Sequence, residues 1–217
     1  MTAELPLFVR VAGARVVSVG AGPVAASKVL PLVEEGAAVV VVAPDAVPEI
    51  RAADAEGRLA WYERSWQPDD LDGAVLVLAG TADPQVNAEV AEAAAVRSTL
   101  CVRVDARGDG SADFAGVVRR GPLTIAVSTG GRAPVLAGHL RSELERTYGP
   151  EWGQVVTLYG ELRKDPGITE ALAGLPPAER RRRWRSIPLT DILEMLRSGR
   201  LSDAKEAASA CLSSSSG

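Results

Sequence analysis

A buried strand that runs into a glycine turn and then a helix, over residues 15–28, constrains the fold of this chain more than any other feature. The stretch reads Arg-Val-Val-Ser-Val-Gly-Ala-Gly-Pro-Val-Ala-Ala-Ser-Lys. Gly20 permits a tight turn, Gly22 lets the backbone approach a pyrophosphate, and Ala25 takes the third small position of G-x-G-x-x-G/A. Glycine turns between a strand and a helix also occur for packing alone. In this context, the motif predicts a dinucleotide site.

The residues that flank the glycines strengthen that prediction. Pro23 falls near the first helical position, where the remaining free N–H groups of the helix can face an anion. A second apolar strand at 37–43 ends in Pro44-Asp45, about 20 positions after the glycines, where an acidic residue usually holds a ribose diol. No arginine lies in the six residues after Ala43, so the carboxylate of Asp45 predicts NAD rather than NADP as the cofactor.

Helices and strands alternate over residues 14–105, which predicts a parallel sheet. Besides the strands already named, the pattern predicts helices at 23–35, 47–57 and 84–97 and strands at 5–11, 59–62, 71–79 and 99–104. The ends of two of these strands bring Thr81 and Asp105 to the carboxyl edge of the sheet, where parallel sheets hold their ligands. Thr81 and Asp83 are candidates for contact with the cofactor, and Asp83 is equally a candidate helix N-cap.

The alternation ends after residue 105. Two β segments, at 114–118 and 123–127, predict a hairpin. The sequence Ser-Thr-Gly-Gly-Arg at 128–132 precedes a predicted helix at 134–148, and predicts either an anion site or a helix cap with turn glycines. Further helices are expected at 152–163, 168–175, 177–187 and 189–197, followed by a small-residue tail from residue 202. The arginine run at 180–185 is interpreted as a solvated helix face rather than a polyanion site.

Together these patterns predict an α/β fold in which a Rossmann-like parallel sheet is followed by a β-strand and helix dimerisation segment and a helical C-terminal domain. The expected divisions are an NAD-binding domain at 1–113, a dimerisation and substrate-loop segment at 114–148, a helical domain at 149–212 and a disordered tail at 213–217. The hairpin cannot bury both faces on so small a sheet. A partner subunit is therefore expected to cover it, which predicts a two-fold homodimer.

Composition excludes several other classes of protein. A formal net charge of −4 gives no bulk attraction for nucleic acid, and no apolar run is long enough to span a membrane. The N-terminus lacks the basic and apolar regions of a secretory signal. The two cysteines, Cys101 and Cys211, favour a reducing cytoplasm over a disulfide framework. A single histidine, His139, cannot build a multi-histidine metal site, and no bound metal is expected.

Four motifs in this order resemble the precorrin-2 dehydrogenases, which include stand-alone enzymes and the N-terminal module of siroheme synthases. They are Val-Gly-Ala-Gly-Pro-Val-Ala at 19–25 with Lys28, Gly-Thr-Ala-Asp at 80–83 with Asn87, Val-Arg-Val-Asp at 102–105, and Ala-Val-Ser-Thr-Gly-Gly-Arg-Ala-Pro-Val-Leu-Ala at 126–137. The resemblance covers residues 3–200 of the sequence. It implies oxidation of precorrin-2 to sirohydrochlorin with NAD by a homodimer, and some members of the family also insert ferrous iron.

The resemblance also implies roles for particular residues. It places NAD contacts at Pro23-Val24 and Pro44-Asp45, and it gives Asp105 the role of acid–base residue. A carboxylate is reasonable there because hydride loss also requires loss of a proton, although a loop aspartate can instead satisfy nearby N–H groups. The implied substrate residues are Ser128, Thr129, Gly130, Gly131 and Arg132. Candidate cations for a tetrapyrrole with many carboxylates are Arg103, Arg107, Arg119, Arg120 and Arg132.

The sequence departs from the family pattern close to Asp105. Val102 replaces a common asparagine, Arg107 replaces a common proline, and the Phe-x-x-Pro-Ala stretch reads Phe-Ala-Gly-Val-Val at 114–118. Two alternatives therefore stay open: a non-catalytic dinucleotide or tetrapyrrole sensor, and a family member that acts on a different substrate. Iron insertion also stays open, because His139 offers little as a metal ligand.

Overall fold

The computed structural model describes residues 4–106 and 109–213. The chain forms two compact units. The first runs to Phe114 and includes Gly130–Arg132, and the second takes Ala115–Thr129 and the chain from Ala133 onward. The separate dimerisation segment at 114–148 stays a prediction, because its hairpin and helix group with the C-terminal helices.

The first unit is an open parallel sheet flanked by helices. Its elements are β1 (Arg15–Val19), α1 (Pro23–Glu34), β2 (Ala38–Val42), α2 (Pro48–Ala55), β3 (Ala60–Tyr62), a 3₁₀ turn (Pro68–Leu71), β4 (Leu76–Ala79), α3 (Pro84–Val96) and β5 (Leu100–Arg103). The strand order is β3-β2-β1-β4-β5, and all the pairs are parallel. This topology confirms the predicted Rossmann-like α/β fold.

Alternation along the strands fills two cores, one on each face of the sheet. In β1, Val16 packs in the same cluster as Val29 of α1, whereas Val17 packs with Val90 of α3. Because successive side chains of a strand point to opposite faces, a strand covered by helices on both sides must be apolar at nearly every position. The valines of β1 and β2 meet this requirement, and the one buried polar residue among them, Ser18, donates its hydroxyl to the Gly20 carbonyl at 3.0 Å.

Two predicted strands differ in the structure. Residues 5–11 form no strand. Leu5 and Phe8 are 77% and 74% exposed, so these apolar side chains do not pack into the core of this unit. The strand predicted at 71–79 begins only at Leu76. Its first residue, Leu71, is fully buried but ends the 3₁₀ turn, because the turn supplies a buried position without strand pairing.

The second unit contains a hairpin and six helices. They are β6 (Gly116–Arg120), β7 (Leu123–Val127), α4 (Pro134–Thr147), α5 (Glu151–Leu162), α6 (Pro166–Leu172), α7 (Pro177–Arg185), α8 (Leu189–Arg197) and α9 (Leu201–Ser213). The hairpin is antiparallel, as predicted. Helices α5 to α9 share one apolar core. No helix within residues 4–106 and 109–213 is both long and apolar enough to cross a membrane.

The expected small-residue tail is instead helix α9. Ala204, Ala208 and Leu212 are fully buried, and their spacing of four residues places them on one helical stripe. Ser213 ends this helix, and residues 214–217 of the predicted tail lie outside the described residues. Most arginines of the 180–185 run are exposed, but Arg183 donates a 3.0 Å hydrogen bond to the Leu212 carbonyl, which ties α7 to the end of α9.

Candidate functional site

The reversal of strand order between β1 and β4 creates a crevice at the carboxyl edge of the sheet. The chain leaves β1 toward α1 and leaves β4 toward α3, so the loops after these neighbouring strands diverge. Crevices of this kind hold ligands in open α/β sheets. The glycine turn from Gly20 to Gly22 and the Gly80-Thr81 turn both lie at this edge.

Gly20 is required by the packing of these two turns. Its φ is +108°, a backbone conformation that residues with a β-carbon rarely adopt. A β-carbon there would also overlap the carbonyl group of Gly80 and lie 2.8 Å from the Thr81 nitrogen. Ala25, the third small position, also lies close to the second turn, because a β-carbon on Gly80 would be 3.3 Å from the β-carbon of Ala25. These small residues therefore bring the two turns together.

Gly22 has a different environment. Its φ of −75° needs no glycine, and a β-carbon there would meet no atom within 4 Å. Gly22 is also the N-cap of α1, which no side chain caps and which begins at Pro23. The N–H groups of the first helical turn lack intrahelical acceptors. An uncapped helix N-terminus beside open space fits the pyrophosphate of a dinucleotide.

The loop after β2 lies beside the glycine turn. Val47 donates a 3.0 Å backbone hydrogen bond to the Ala21 carbonyl. Within this loop Pro44 and Asp45 are exposed, and the Asp45 side chain is 86% exposed. The structure thus brings the predicted ribose-binding carboxylate to the same edge as the predicted pyrophosphate turn.

The carboxylate of Asp45 has a cationic partner that lies beyond the six residues after Ala43. Arg51, one turn into α2, pairs with it and donates from Nε to the Ala46 carbonyl at 2.9 Å. The same guanidinium lies 4.5 Å from the centre of the Trp61 ring. The hydrogen bond from Arg51 lowers the pKa of Asp45. Local sequence does not reveal this cation, because the first turn of α2 brings Arg51 back beside the loop.

Thr81 is held by the buried side-chain amide of Asn87, to which the sequence motifs assign no role. The Thr81 backbone nitrogen and hydroxyl both lie 2.9 Å from Asn87 Oδ1, and Asn87 Nδ2 donates to the Thr81 carbonyl at 3.1 Å. Asn87 is fully buried. Its position in the first turns of α3, just after a strand-to-helix turn, was the available signal. Asp83 instead accepts from the Gln85 nitrogen at 2.8 Å and caps α3.

Asp105 follows β5 by two residues and is held by Arg103, the last residue of that strand. Arg103 Nη2 lies 2.8 Å from Asp105 Oδ2, and Arg103 Nε lies 3.3 Å from Oδ1. The hydrogen bond from Arg103 is the largest cause of a lowered pKa at Asp105.

The predicted substrate loop spans the division between the units. Ser128 and Thr129 belong to the second unit, and Gly130, Gly131 and Arg132 belong to the first. Both glycines have positive φ, of 59° and 71°. The Thr129 hydroxyl accepts a 3.3 Å hydrogen bond from the Ala133 nitrogen at the start of α4.

The candidate cations differ in their availability. Arg132 is exposed and makes no hydrogen bond or ion pair with any residue in the described ranges. Arg120 is committed to structure, because it donates to the carbonyls of Tyr148 and Glu145 at 2.8 and 2.9 Å and so caps the end of α4. Arg103 is occupied by Asp105, and Arg107 lies outside the described residues.

Comparisons with known proteins agree with this arrangement. Residues 7–115 match a family model described as putative NAD(P)-binding, and residues 120–147 match a model described as sirohaem biosynthesis protein central. A siroheme synthase of Photorhabdus laumondii is 38% identical over 160 residues, which cover 74% of this chain and 34% of that protein. One of Pseudomonas aeruginosa is 37% identical over 201 residues, which cover 93% of this chain and 42% of that protein.

The chain thus spans less than half the length of these curated relatives. Among solved structures, one named SirC, precorrin-2 dehydrogenase, matches with a TM-score of 0.71 and 23% sequence identity, over 94% of this chain and 98% of that one. This likeness shows that the two chains share a fold.

Proposed function

The chain belongs to the family of precorrin-2 dehydrogenases and siroheme synthases, and we propose that it is an NAD-dependent oxidoreductase that converts precorrin-2 to sirohydrochlorin. The observation that carries the proposal is the carboxyl edge of the parallel sheet. There, an uncapped helix N-terminus beside Gly22 lies on the same edge as the carboxylate of Asp105. A dehydrogenase that removes a hydride and a proton needs a dinucleotide site and a base at one edge.

The candidate site residues of the first unit each have a role in this proposal. The dinucleotide, when bound, supplies the acceptor for the hydride. The glycine turn and the free N–H groups after Pro23, beginning at Val24, bind its pyrophosphate. Pro44 and Asp45 bind the adenosine ribose, and Thr81 lines the crevice after β4. Asp105 accepts the proton that the substrate loses and releases it to solvent, which balances the transfer of two electrons and one proton as hydride.

The substrate loop supplies the contacts for the tetrapyrrole. Gly130 and Gly131 adopt backbone conformations that favour glycine, and Ser128 and Thr129 provide hydroxyls for carboxylate oxygens. Arg132 is the cation best suited to a substrate carboxylate, because its guanidinium is exposed and has no partner in residues 4–106 or 109–213.

We further propose that NAD is preferred over NADP, through Asp45. Its carboxylate accepts hydrogen bonds from a ribose diol and repels a 2′-phosphate. Arg51 reduces this preference, because its charge lies beside the same carboxylate. The balance between the two side chains sets the ratio of the two affinities.

A homodimer fits the surface of the second unit. No residue of α4 is buried, and Val135 and Leu136 are 88% and 51% exposed. Contiguous exposed apolar side chains mark an interaction surface, and a second copy of this chain is the proposed occupant. Within the described residues, Cys101 and Cys211 form no disulfide, which fits the proposed location in a reducing cytoplasm.

The experiment that tests the proposed function is anaerobic incubation of the protein with precorrin-2 and NAD. We expect NADH and sirohydrochlorin to appear in equal amounts, each followed by its own absorbance. Binding of NAD and precorrin-2 without NADH formation would instead favour a non-catalytic sensor. NADH formation with another reduced tetrapyrrole alone would favour a different substrate.

A further inference from the structure

Arg103 and Asp105 meet where β5 gives way to a bend in the chain. Arg103 ends β5, and Asp105 follows it by two residues. The guanidinium contacts both carboxylate oxygens, at 2.8 and 3.3 Å. This two-point contact fixes the direction of the carboxylate as well as its distance.

Asp105 as a whole is an exposed residue, but the two paired side chains are partly shielded from water. The Arg103 and Asp105 side chains are only 12% and 24% exposed, and partial burial reduces screening by water and salt. On its other side, Arg103 Nη1 lies 3.7 Å from Asp109 Oδ2, so the guanidinium is held between two carboxylates. Across residues 4–106 and 109–213, Arg103 is the only cation whose pairing with Asp105 the structure records.

We propose that Arg103 is a positioning residue for the dehydrogenation: it keeps Asp105 ionised and aimed into the crevice, and it does not bind the substrate itself. This inference rests on the proposed function. An arginine stays charged at every pH in which proteins are stable, so Asp105 remains ready to accept a proton under acidic as well as neutral conditions. The role as a substrate-binding cation then falls to Arg132 rather than Arg103.

The sign of the pH effect follows from the pair. A nearby cation favours the charged carboxylate and lowers the pKa of Asp105. The ionised base therefore persists to a lower pH than an unpaired aspartate would allow. Replacing Arg103 with a neutral residue raises the pKa of Asp105, so the base is lost at a higher pH.

The test measures the Asp105 carboxyl directly, without any need for turnover. Full-length protein with ¹³C-labelled aspartate carboxyls is titrated by NMR, and the Asp105 signal is assigned from its absence in Asp105→Asn. We expect its midpoint to move to higher pH in Arg103→Leu, and to a smaller extent in Arg103→Lys, which keeps the charge but loses the two-point contact. The matched control is Arg97→Leu, which breaks a 2.7 Å contact to Asp72 elsewhere in the same unit and should leave the Asp105 midpoint unchanged.

The same variants are then assayed for NADH formation from precorrin-2. We expect the acid limb of kcat/KM in Arg103→Leu to move to higher pH by the same shift as the NMR midpoint, with unchanged affinity for NAD. An unmoved Asp105 midpoint in both Arg103→Leu and Arg103→Lys would overturn the proposal, as would a rise in the KM for precorrin-2 without any change in the pH profile. If the wild type forms no NADH while the NMR midpoint still moves, the proposed function fails and the pairing stands. Should Arg103→Leu not fold, Arg103→Lys carries the same test.

Discussion

Gly20 and Gly80 lie so close together that a β-carbon on Gly20 would overlap the Gly80 carbonyl group. This contact joins the turn after β1 to the turn after β4 and so shapes the crevice between them. Gly22, two residues along, faces open space. The two glycines of one motif therefore serve different purposes: the first maintains the fold, and the second leaves room for a ligand.

This difference predicts that one alanine variant loses stability and the other loses affinity for NAD. Gly20→Ala must adopt an unfavourable φ and displace a backbone carbonyl, so we expect a loss of more than about 2 kcal/mol in the free energy of unfolding. Gly22→Ala should stay within about 1 kcal/mol of the wild type but bind NAD at least roughly tenfold more weakly, or about 1.4 kcal/mol. Urea denaturation and NAD titration measure these two quantities. Unchanged NAD affinity in Gly22→Ala would remove the glycine turn from the proposed cofactor site.

Substitutions of Asp45 and Arg51 should change the preference for NAD over NADP in opposite directions. Asp45→Ala removes the diol acceptor and frees the guanidinium of Arg51, so NAD should bind more weakly and NADP more tightly. Arg51→Ala leaves the Asp45 carboxylate without its cation, so the preference for NAD over NADP should widen. The ratio of the two dissociation constants is the measurement, and Arg58→Ala, which breaks an exposed pair with Glu56 in the same unit, is the control. A constant ratio in both variants would show that neither side chain contacts the ribose.

The exposed face of α4 predicts the assembly state. Val135→Glu places a charge on the proposed contact between copies and should raise the dimer dissociation constant at least roughly tenfold. Val96→Glu is the matched control, because Val96 is 84% exposed on α3 of the first unit and should leave the dimer intact. Sedimentation velocity distinguishes the two. A wild type that stays monomeric at micromolar concentration would contradict the homodimer.

The sheet could be predicted from the sequence because its strands are buried on both faces. The valine runs of β1 and β2 leave few alternatives to a parallel sheet between helices, and Gly36, with a φ of +80°, marks the end of α1. The segment at 5–11 is also rich in apolar residues, but it pairs with no strand, and all of its residues except the partly buried Val11 are exposed. An apolar segment therefore forms a strand only where a neighbouring strand pairs with it.

The site could be predicted less completely than the sheet. Glycine turns and residues at strand ends follow local rules, which is why Asp45, Thr81 and Asp105 lie at one edge. Their partners do not follow such rules. Arg51 returns to Asp45 by way of a helical turn, and Asn87 reaches Thr81 from inside α3. Helix α9 is not predicted for a related reason. Its small residues are typical of a tail, and only the core against which every fourth residue packs makes the segment helical.

We propose that Asp105 accepts a proton during dehydrogenation of precorrin-2. Asp105→Asn keeps the size of the side chain and removes its basicity, so the variant should bind NAD with unchanged affinity and fold as the wild type does. The most direct measurement is the initial rate of NADH formation under anaerobic conditions with saturating precorrin-2 and NAD. We expect a rate about 10² to 10⁴-fold lower in Asp105→Asn than in the wild type. Equal rates in the two proteins would contradict it.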